Sequence, residues 1–347
     1  MSLNRNLRVI LTAVCLVMVV LAQAACQSSS PTATSSAATQ AATQNTSYAG
    51  KRILYVNSYS VGYAWSDGIE HGVHNILDKT AVELKFVRMD TKNHPDDQFR
   101  EQAGKAAKAE LDAFKPDLVI ASDDNAQQWF VIPYLQKGTI PCVFAGVNWD
   151  ASSYNFDRTH ITGIVKVHPI GQLMSDLKPY VKGSRVGYVT IDTETERGNY
   201  DQINRRFFNG ALKPYIVKTY ADFKDAFLKA QAENDGVILG NNAGSSDKWD
   251  DTDAIPFFTK NTRVPTGTVN DWMTSYTLIT VARIPEELGE WSAQTALRIF
   301  DGTPVSSIDI TENRKFKLGL NLDIGQQLGI VFTPEMLRNA AIYSKQG

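Results

Sequence analysis

The chain has little cysteine, no surplus of either charge and no apolar run long enough to span a bilayer, and each shortage closes off a class of function. There are three cysteines in 347 residues. Cys15 and Cys26 lie in or just after an N-terminal apolar run, so the rest of the chain holds Cys142 alone. A single thiol supplies neither a disulfide framework nor a thiolate metal site. Cys142 stands inside the apolar stretch 140–146 and is expected to be a small buried hydrophobe. Lysine and arginine number 35 against 37 aspartates and glutamates, a net charge of −2, which leaves no basic footprint for nucleic acid and no polybasic surface for anionic lipid. Also missing are a Gly-x-Ser-x-Gly elbow, a phosphate-cradling glycine loop ending in Lys-Ser/Thr, and His-Glu-x-x-His. His71 and His74 lie one helical turn apart but have no third ligand nearby, and read as a solvated face. The acidic patch Asp247, Asp250, Asp251 and Asp253 lacks the glycine and spacing of a calcium loop and reads as helix N-terminal charge. No catalytic residue, metal or cofactor is therefore expected, and a secreted enzyme built on Asp123 or Asp192 is the weakest of the readings.

What the chain does have begins at its N-terminus. Arg5 and Arg8 precede an apolar run at 9–22, which is too short for the roughly 20 residues a spanning helix needs. Positive charge, a short apolar core and then Gln23-Ala24-Ala25-Cys26 make an export signal. Cys26 after two alanines resembles a bacterial lipobox, whose cysteine is lipidated. Gln23 stands where that motif has an aliphatic residue, so a signal peptide cleaved after Ala24 or Ala25 is the alternative. Residues 27–49 are nearly uncharged and poor in large aliphatic side chains, which makes them a flexible linker rather than part of a core. A linker directly after a lipidatable cysteine is a leash, so an extracytoplasmic, membrane-anchored protein is expected.

The remaining residues, 50–347, suffice for two lobes. Short β-rich runs at 53–56, 84–89, 118–121 and 142–145 alternate with helical patterns at 66–77, 97–114 and 126–135. His168-Pro169 marks the start of a further helix. The pattern then restarts, with strands at 185–190, 215–220, 236–240 and 264–268 and helices at 196–209, 223–232 and 254–259. A strand at 278–281, a helix at 286–300, a strand at 316–320 and two short helices at 323–328 and 334–341 complete the chain. Strands alternating with helices predict parallel sheets covered on both faces, an α/β fold of two doubly wound lobes.

In open parallel sheets, ligands bind beyond the carboxyl ends of the strands. Those ends carry 57–67 with Ser58, Tyr59, Trp65 and Asp67, then Asp123, Asn148, Asp192, Asn241, and the run Asn270-Asp271-Trp272. Singly, Asn, Asp and Ser at such places are helix caps. The recurrence of Trp or Tyr beside them in both halves points to a cleft for a small polar ligand with an apolar or aromatic body. The ligand-binding set expected is Ser58, Tyr59, Trp65, Asp67, Asp123, Asn148, Asp192, Asn241, Asn270 and Trp272. The aromatics would stack on the ligand, and Asp123 or Asp192 would take an ammonium.

From about Lys51 onward the sequence resembles ABC-transporter substrate-binding proteins of the tryptophan/tyrosine-binding type. The resemblance rests on Lys-Pro-Asp-Leu-Val-Ile-Ala-Ser (115–122), Ile-Pro-Cys-Val-Phe-Ala-Gly-Val (140–147), Ile-Thr-Gly-Ile (161–164) and Ser-Arg-Val-Gly-Tyr-Val (184–189). The run at 316–330 followed by Thr-Pro-Glu-Met-Leu (333–337) is its most specific part. It implies the type I periplasmic binding protein fold, with three crossover strands as a hinge near 162–167, 281–285 and 312–320. Lobe 1 would be 50–165 with 284–312, and lobe 2 166–283 with 313–347. It further implies a monomeric extracytoplasmic lipoprotein that captures a small molecule, an amino acid or a similar aromatic or amide compound, by hinge closure and presents it to ABC permease and ATPase subunits. The opening Asn-Ser-Tyr (57–59) and 62–68 depart from the family's aromatic amino-acid binders and are closer to sensory relatives. The alternative is thus a ligand sensor reporting occupancy to a membrane receptor or histidine kinase.

Overall fold

The computed structural model describes residues 47–344; the export segment, Cys26 and the linker up to residue 46 lie outside the described residues. The chain runs through β1 (Arg52–Asn57), α1 (Ala64–Leu77), β2 (Glu83–Arg88), α2 (Asp97–Phe114) and β3 (Leu118–Ser122). A helical stretch follows, made of α3 (Asp123–Ala126), a π-helical turn (Gln127–Val131) and α4 (Ile132–Tyr134), and then β4 (Cys142–Asn148) and β5 (Ile161–Lys166). After α5 (Ile170–Leu177) come β6 (Val186–Ile191), α6 (Glu194–Phe207), β7 (Lys213–Val217), α7 (Tyr220–Glu233), β8 (Gly236–Leu239), α8 (Asp251–Asn261), β9 (Thr266–Thr268) and β10 (Ile279–Arg283). The chain then returns with α9 (Pro285–Phe300) and β11 (Thr311–Glu312), and ends in β12 (Phe316–Asn321), α10 (Leu322–Leu328), α11 (Pro334–Asn339) and β13 (Ala340–Tyr343).

Two sheets result. The first has the order β11-β5-β4-β3-β1-β2 and the second β13-β12-β10-β9-β8-β6-β7. All pairings are parallel except β10 with β12, which run antiparallel. The chain passes between the sheets three times, after Lys166, after Arg283 and after Glu312. The strands explain this architecture. β3, β4 and β8 read LVIAS, CVFAGVN and GVIL and are buried almost throughout, the signature of a sheet covered on both faces. In the first lobe Ile53 and Tyr55 pack under α1 and α9, while Leu54 and Val56 pack under α2 and the Asp123–Tyr134 stretch. In the second, Val189, Val237 and Leu239 meet Phe223, Phe227 and Phe258 of α7 and α8. Among the described residues no helix is long and apolar enough to cross a membrane.

Sequence and structure differ where local signals compete. The helix expected over 334–341 stops at Asn339, and Ala340–Tyr343 instead extends the second sheet beside β12. The strand expected at 215–220 ends at Val217, because Thr219 caps α7 through the Asp222 amide at 3.0 Å. Asp250 caps α8, with Asp251 and Asp253 in its first turn, so the acidic patch serves helix termini. Asp247 accepts from the Tyr220 amide at the start of α7. Cys142 is fully buried, and burial raises its thiol pKa.

Packing of α9 back onto the first lobe relies on two glycines. A Cβ at Gly72 of α1 would collide with the Glu286 carbonyl, and one at Gly289 of α9 with the Ile69 carbonyl. The two backbones thus touch directly, which no other residue permits. Gly72→Ala or Gly289→Ala is expected to cost about 1–3 kcal/mol and to lower the melting temperature by several degrees while the far-UV circular dichroism keeps its shape. A thermal melt identical to that of the parent would contradict the close approach.

Candidate functional site

The seam between the lobes is built from the residues that follow β1, β3, β4, β5 and β10. Asp123 opens α3 in the left-handed region, φ +61°, which aspartate tolerates better than most side chains. It is fully buried. Its Oδ1 accepts from Trp65 Nε1 at 3.2 Å and from Lys166 Nζ at 3.3 Å. Its Oδ2 is enclosed without a partner. Burial raises its carboxyl pKa, with Lys166 opposing. Room for this side chain comes from Gly146, φ +86°, at a register shift in β4; a Cβ there would sit 3.3 Å from Asp123 Oδ1. Two cations gather around the Trp65 indole, Lys166 at 4.8 Å and Arg283 at 5.0 Å from the ring centroid. Tyr59 and Tyr63 meet edge to face at 5.2 Å, with Lys92 Nζ 4.0 Å over Tyr63. Burial, with Asp123 and Asp124 nearby, raises the Tyr59 phenol well above its usual range.

The bend at Gly146 also turns Trp149, itself at φ +61°, into the second lobe. Its Nε1 donates to Asn199 Oδ1 of α6 at 2.9 Å, its ring lies 5.0 Å from that of His168, and Arg206 stacks over it at 5.5 Å. Asn199 Nδ2 in turn donates to Glu196 Oε1 at 2.8 Å. The other oxygen of Glu196 accepts from the Tyr188 hydroxyl (2.9 Å), the Thr190 hydroxyl (2.7 Å) and the Asn241 amide (3.2 Å). His168 is buried with Nδ1 unpartnered. Burial, and then the charges of Arg283 and Lys166, push its imidazole well below its ordinary pKa.

Several cavities open along this seam, and two of them lie against the groups just described. One of about 590 Å³ lies between Asn148 and Trp149 on one side and Glu194 and Asn199 on the other. The other, about 260 Å³, lies between Trp65 and Trp272 and is lined by Arg283. Of the residues expected from sequence, Trp65, Asp123 and Trp272 face the seam or its cavities, and Tyr59 adjoins them. Asn148 lines the larger cavity, its amide held by Asp124, which also accepts from the Tyr154 hydroxyl at 2.8 Å. The others hold local structure. Ser58 is fully buried, donates to the Ser122 carbonyl and accepts from the Ala126 amide at 2.7 Å. Asp67 accepts from the Gly62 amide at 2.9 Å. Asp192 is ion-paired with Arg197, which holds its carboxyl below the usual range. Asn241 Oδ1 accepts from the Ala243 amide at 2.8 Å, and Asn270 is buried with its own amide donating to Thr268 Oγ1 at 3.2 Å.

Sequence reasoning missed Lys166, Trp149, Glu196, Asn199 and Arg283. A signal for two of them existed. Lys166 and Arg283 are the last residues of apolar crossover strands, where a lone cation has no reason in the core of its own sheet.

No protein-family model and no curated protein matches the chain. Solved structures do. A ligand-free, open substrate-binding protein with adhesive properties from Clostridium difficile aligns with a TM-score of 0.65 at 14% identity, covering 84% of this chain and 99% of that one. An ABC domain from Streptococcus pneumonia in complex with L-Trp gives 0.54 at 17%, with 84% and 99% covered. An ABC-transporter solute-binding protein from Bradyrhizobium with bound bis-tris gives 0.52 at 14%, with 84% and 87% covered. At these identities the likeness is one of fold: two parallel-sheet α/β lobes consistent with the type I periplasmic binding protein.

The buried His168 makes the seam sensitive to acid. In the unfolded chain an imidazole takes up a proton near pH 6.5, whereas His168 in the fold does so only at much lower pH. Its contribution to stability is therefore complete above about pH 6.5 and declines by about 1.4 kcal/mol per unit as the pH falls from there toward the folded-state pKa. Urea unfolding of the parent and of His168→Gln at about pH 7 and about pH 5 is expected to show a smaller acid loss in the variant. Equal losses would mean that the ring is protonated in the fold.

Proposed function

We propose that this protein is a non-catalytic, extracytoplasmic solute-binding protein that captures a small polar ligand between its lobes and closes on it by hinge motion. The observation that carries this reading is the convergence on one seam of two buried polar atoms without partners, Asp123 Oδ2 and His168 Nδ1, with the Arg283 guanidinium, which among the described residues makes no hydrogen bond or ion pair, beside the Trp65 indole. A buried polar atom without a partner is costly, and a hinged pair of lobes is the arrangement in which a ligand supplies one. Three chain crossings at the seam give the hinge its strands. Of the proteins of similar fold named above, one is a substrate-binding protein and one an ABC-transporter solute-binding protein, and the third, an ABC domain, holds L-Trp.

In this reading the lobes are 50–165 with 284–312 and 166–283 with 313–347, and the protein works as a monomer. Lipidated Cys26 tethers it through the linker 27–49 to the membrane, where the closed form is presented to the permease and ATPase subunits of an importer. Ligand contacts come from Tyr59, Trp65, Asp123, Asn148 and Trp272, joined by Trp149, His168 and Arg283.

The test is to denature the purified protein, identify released small molecules by mass spectrometry, and screen the emptied protein by thermal shift against amino acids, purines and small sugars. A ligand at about a hundred times its dissociation constant is expected to add about 2.7 kcal/mol and to raise the melting temperature by several degrees. Trp65→Ala and Asp123→Asn are each expected to weaken that ligand at least about tenfold, the size of one lost hydrogen bond to a charged group or one lost aromatic contact. Unchanged affinity in both variants would remove this seam as the site, and a chemically altered ligand would make the protein an enzyme. The tether has its own check: Cys26→Ser is expected to move the protein from the membrane fraction to the soluble fraction, and an unchanged distribution would exclude the lipid anchor.

A further inference from the structure

Arg283 ends β10 at the point where the chain crosses back to the first lobe. Of the two cations beside Trp65, Lys166 is matched by Asp123 at 3.3 Å. Arg283 is not matched: among the described residues its guanidinium makes the stacking contact with Trp65 at 5.0 Å and no hydrogen bond or ion pair. No carboxylate near it forms a hydrogen bond or ion pair with it: Asp123, whose charge it feels, bonds to Trp65 and Lys166 through Oδ1 and keeps Oδ2 unpartnered. Glu196 already accepts from four donors. Asp271 and Glu286 line the same cavity of about 260 Å³ without forming an ion pair to it, and Glu286 Oε2 is buried without a hydrogen-bond partner. Lys317 adds a second positive charge to the cavity wall. Burial lowers the Arg283 pKa to about 10, so it keeps its charge at neutral pH. A guanidinium presents five N–H donors in a planar fork suited to two-point contact with a planar anion. The same cavity has flat apolar walls, with Trp65 on the first lobe and the half-exposed Trp272 on the second.

We propose that the ligand of this cleft carries a carboxylate, which Arg283 grips in two-point contact while Trp65 and Trp272 enclose its body. The proposal rests on the ligand-binding reading above and adds to it the ligand's charge class and the residue that selects it. Because Arg283 closes one crossing and Trp65 starts the first-lobe helix α1, a carboxylate seated there touches both lobes at once and favours the closed form.

The experiment titrates the full chain, purified in mild detergent, with compounds matched in shape and differing in charge: phenylacetate, phenylacetamide and phenethylamine, and succinate, succinamide and 1,4-diaminobutane. Calorimetry and thermal shift are expected to rank the carboxylates first in each set. Arg283→Gln is expected to weaken carboxylate binding by about ten- to a hundredfold, the usual size for a charge-assisted pair, and to leave amide affinity within about twofold. Arg283→Lys, which keeps the charge and loses the fork, is expected to fall between. Amides or amines binding as tightly as carboxylates, or Arg283→Gln leaving carboxylate affinity unchanged, would overturn the charge assignment while the ligand-binding reading stands. The parent's ranking decides the matter even where Arg283→Gln does not fold. No binding by any of the three charge classes, where the screen above returns an uncharged ligand, would overturn this proposal alone, and no ligand from either set would sink the ligand-binding reading with it.

Discussion

A carboxylate removed from water must be answered by a cation or by strong donors, and in this molecule the buried Asp123 finds both at the boundary between its lobes. Much of the surrounding geometry follows from that requirement. Lys166 is the last residue before the first crossing, so its bond to Asp123 fixes where the chain leaves the first sheet. Trp65, the other donor, is thereby set with its ring beside Lys166 and Arg283. The left-handed backbone at Asp123 and the bulge at Gly146 are the local distortions that make room for the carboxylate. Removing Lys166 would leave the buried carboxylate with only the neutral Trp65 donor, and removing Asp123 would leave Lys166 without its counter-charge.

The two sides of the seam are built differently. In the second lobe, Glu196 is saturated by Tyr188, Thr190, Asn199 and the Asn241 amide, and it serves to hold Asn199 toward the first lobe. In the first lobe, Asp123 keeps one oxygen unanswered, and across the crossing Arg283 keeps all its donors. A rigid network thus faces an incomplete one. Between them, Arg206 of α6 makes a bond to the Trp149 carbonyl at 3.1 Å and an ion pair with Glu312 at 3.5 Å. Another bond between them, Trp149 Nε1 to Asn199 Oδ1, is a neutral hydrogen bond of about 0.5–1.5 kcal/mol net. Such a bond orients the lobes and is weak enough to be exchanged for solvent when they part. Trp149 adds apolar continuity, since one cluster of buried side chains runs from Phe130 in the first lobe through Trp149 and Val167 to Leu173 and Ile238 in the second.

Strands such as 118–122 and 236–239 were legible because continuous apolar runs admit only a sheet covered on both faces. Ala340–Tyr343 was not, since its periodicity also suits the end of a helix and its place beside β12 depends on partners 22 residues away, Leu318 pairing with Ala340 and Asn321 with Tyr343. The site was half legible for a related reason. Asn, Asp and Ser at strand ends can cap a helix, close a turn or meet a ligand, and nothing local separates the three. Asp192 turned out to be engaged by Arg197, Asp67 by the Gly62 amide and Ser58 by the Ser122 carbonyl, whereas Asp123, in the same kind of position, reached across to another element.

Periodicity and composition alone settled the α/β class, the alternation that makes two sheets, the solitary buried thiol and the helix-capping role of the acidic patch, because each depends on the order of residues along a few turns or strands. The meeting of Trp65, Asp123, Lys166, His168 and Arg283 was decided only by the three crossings between the sheets. These residues are brought together across a sequence separation of 218, from Trp65 to Arg283, and each is satisfied, or left wanting, by neighbours that no local pattern encodes. Burial and the pairing of charge are properties of the assembled chain, and so the unmatched guanidinium of Arg283 becomes visible only once every carboxylate near it has been placed.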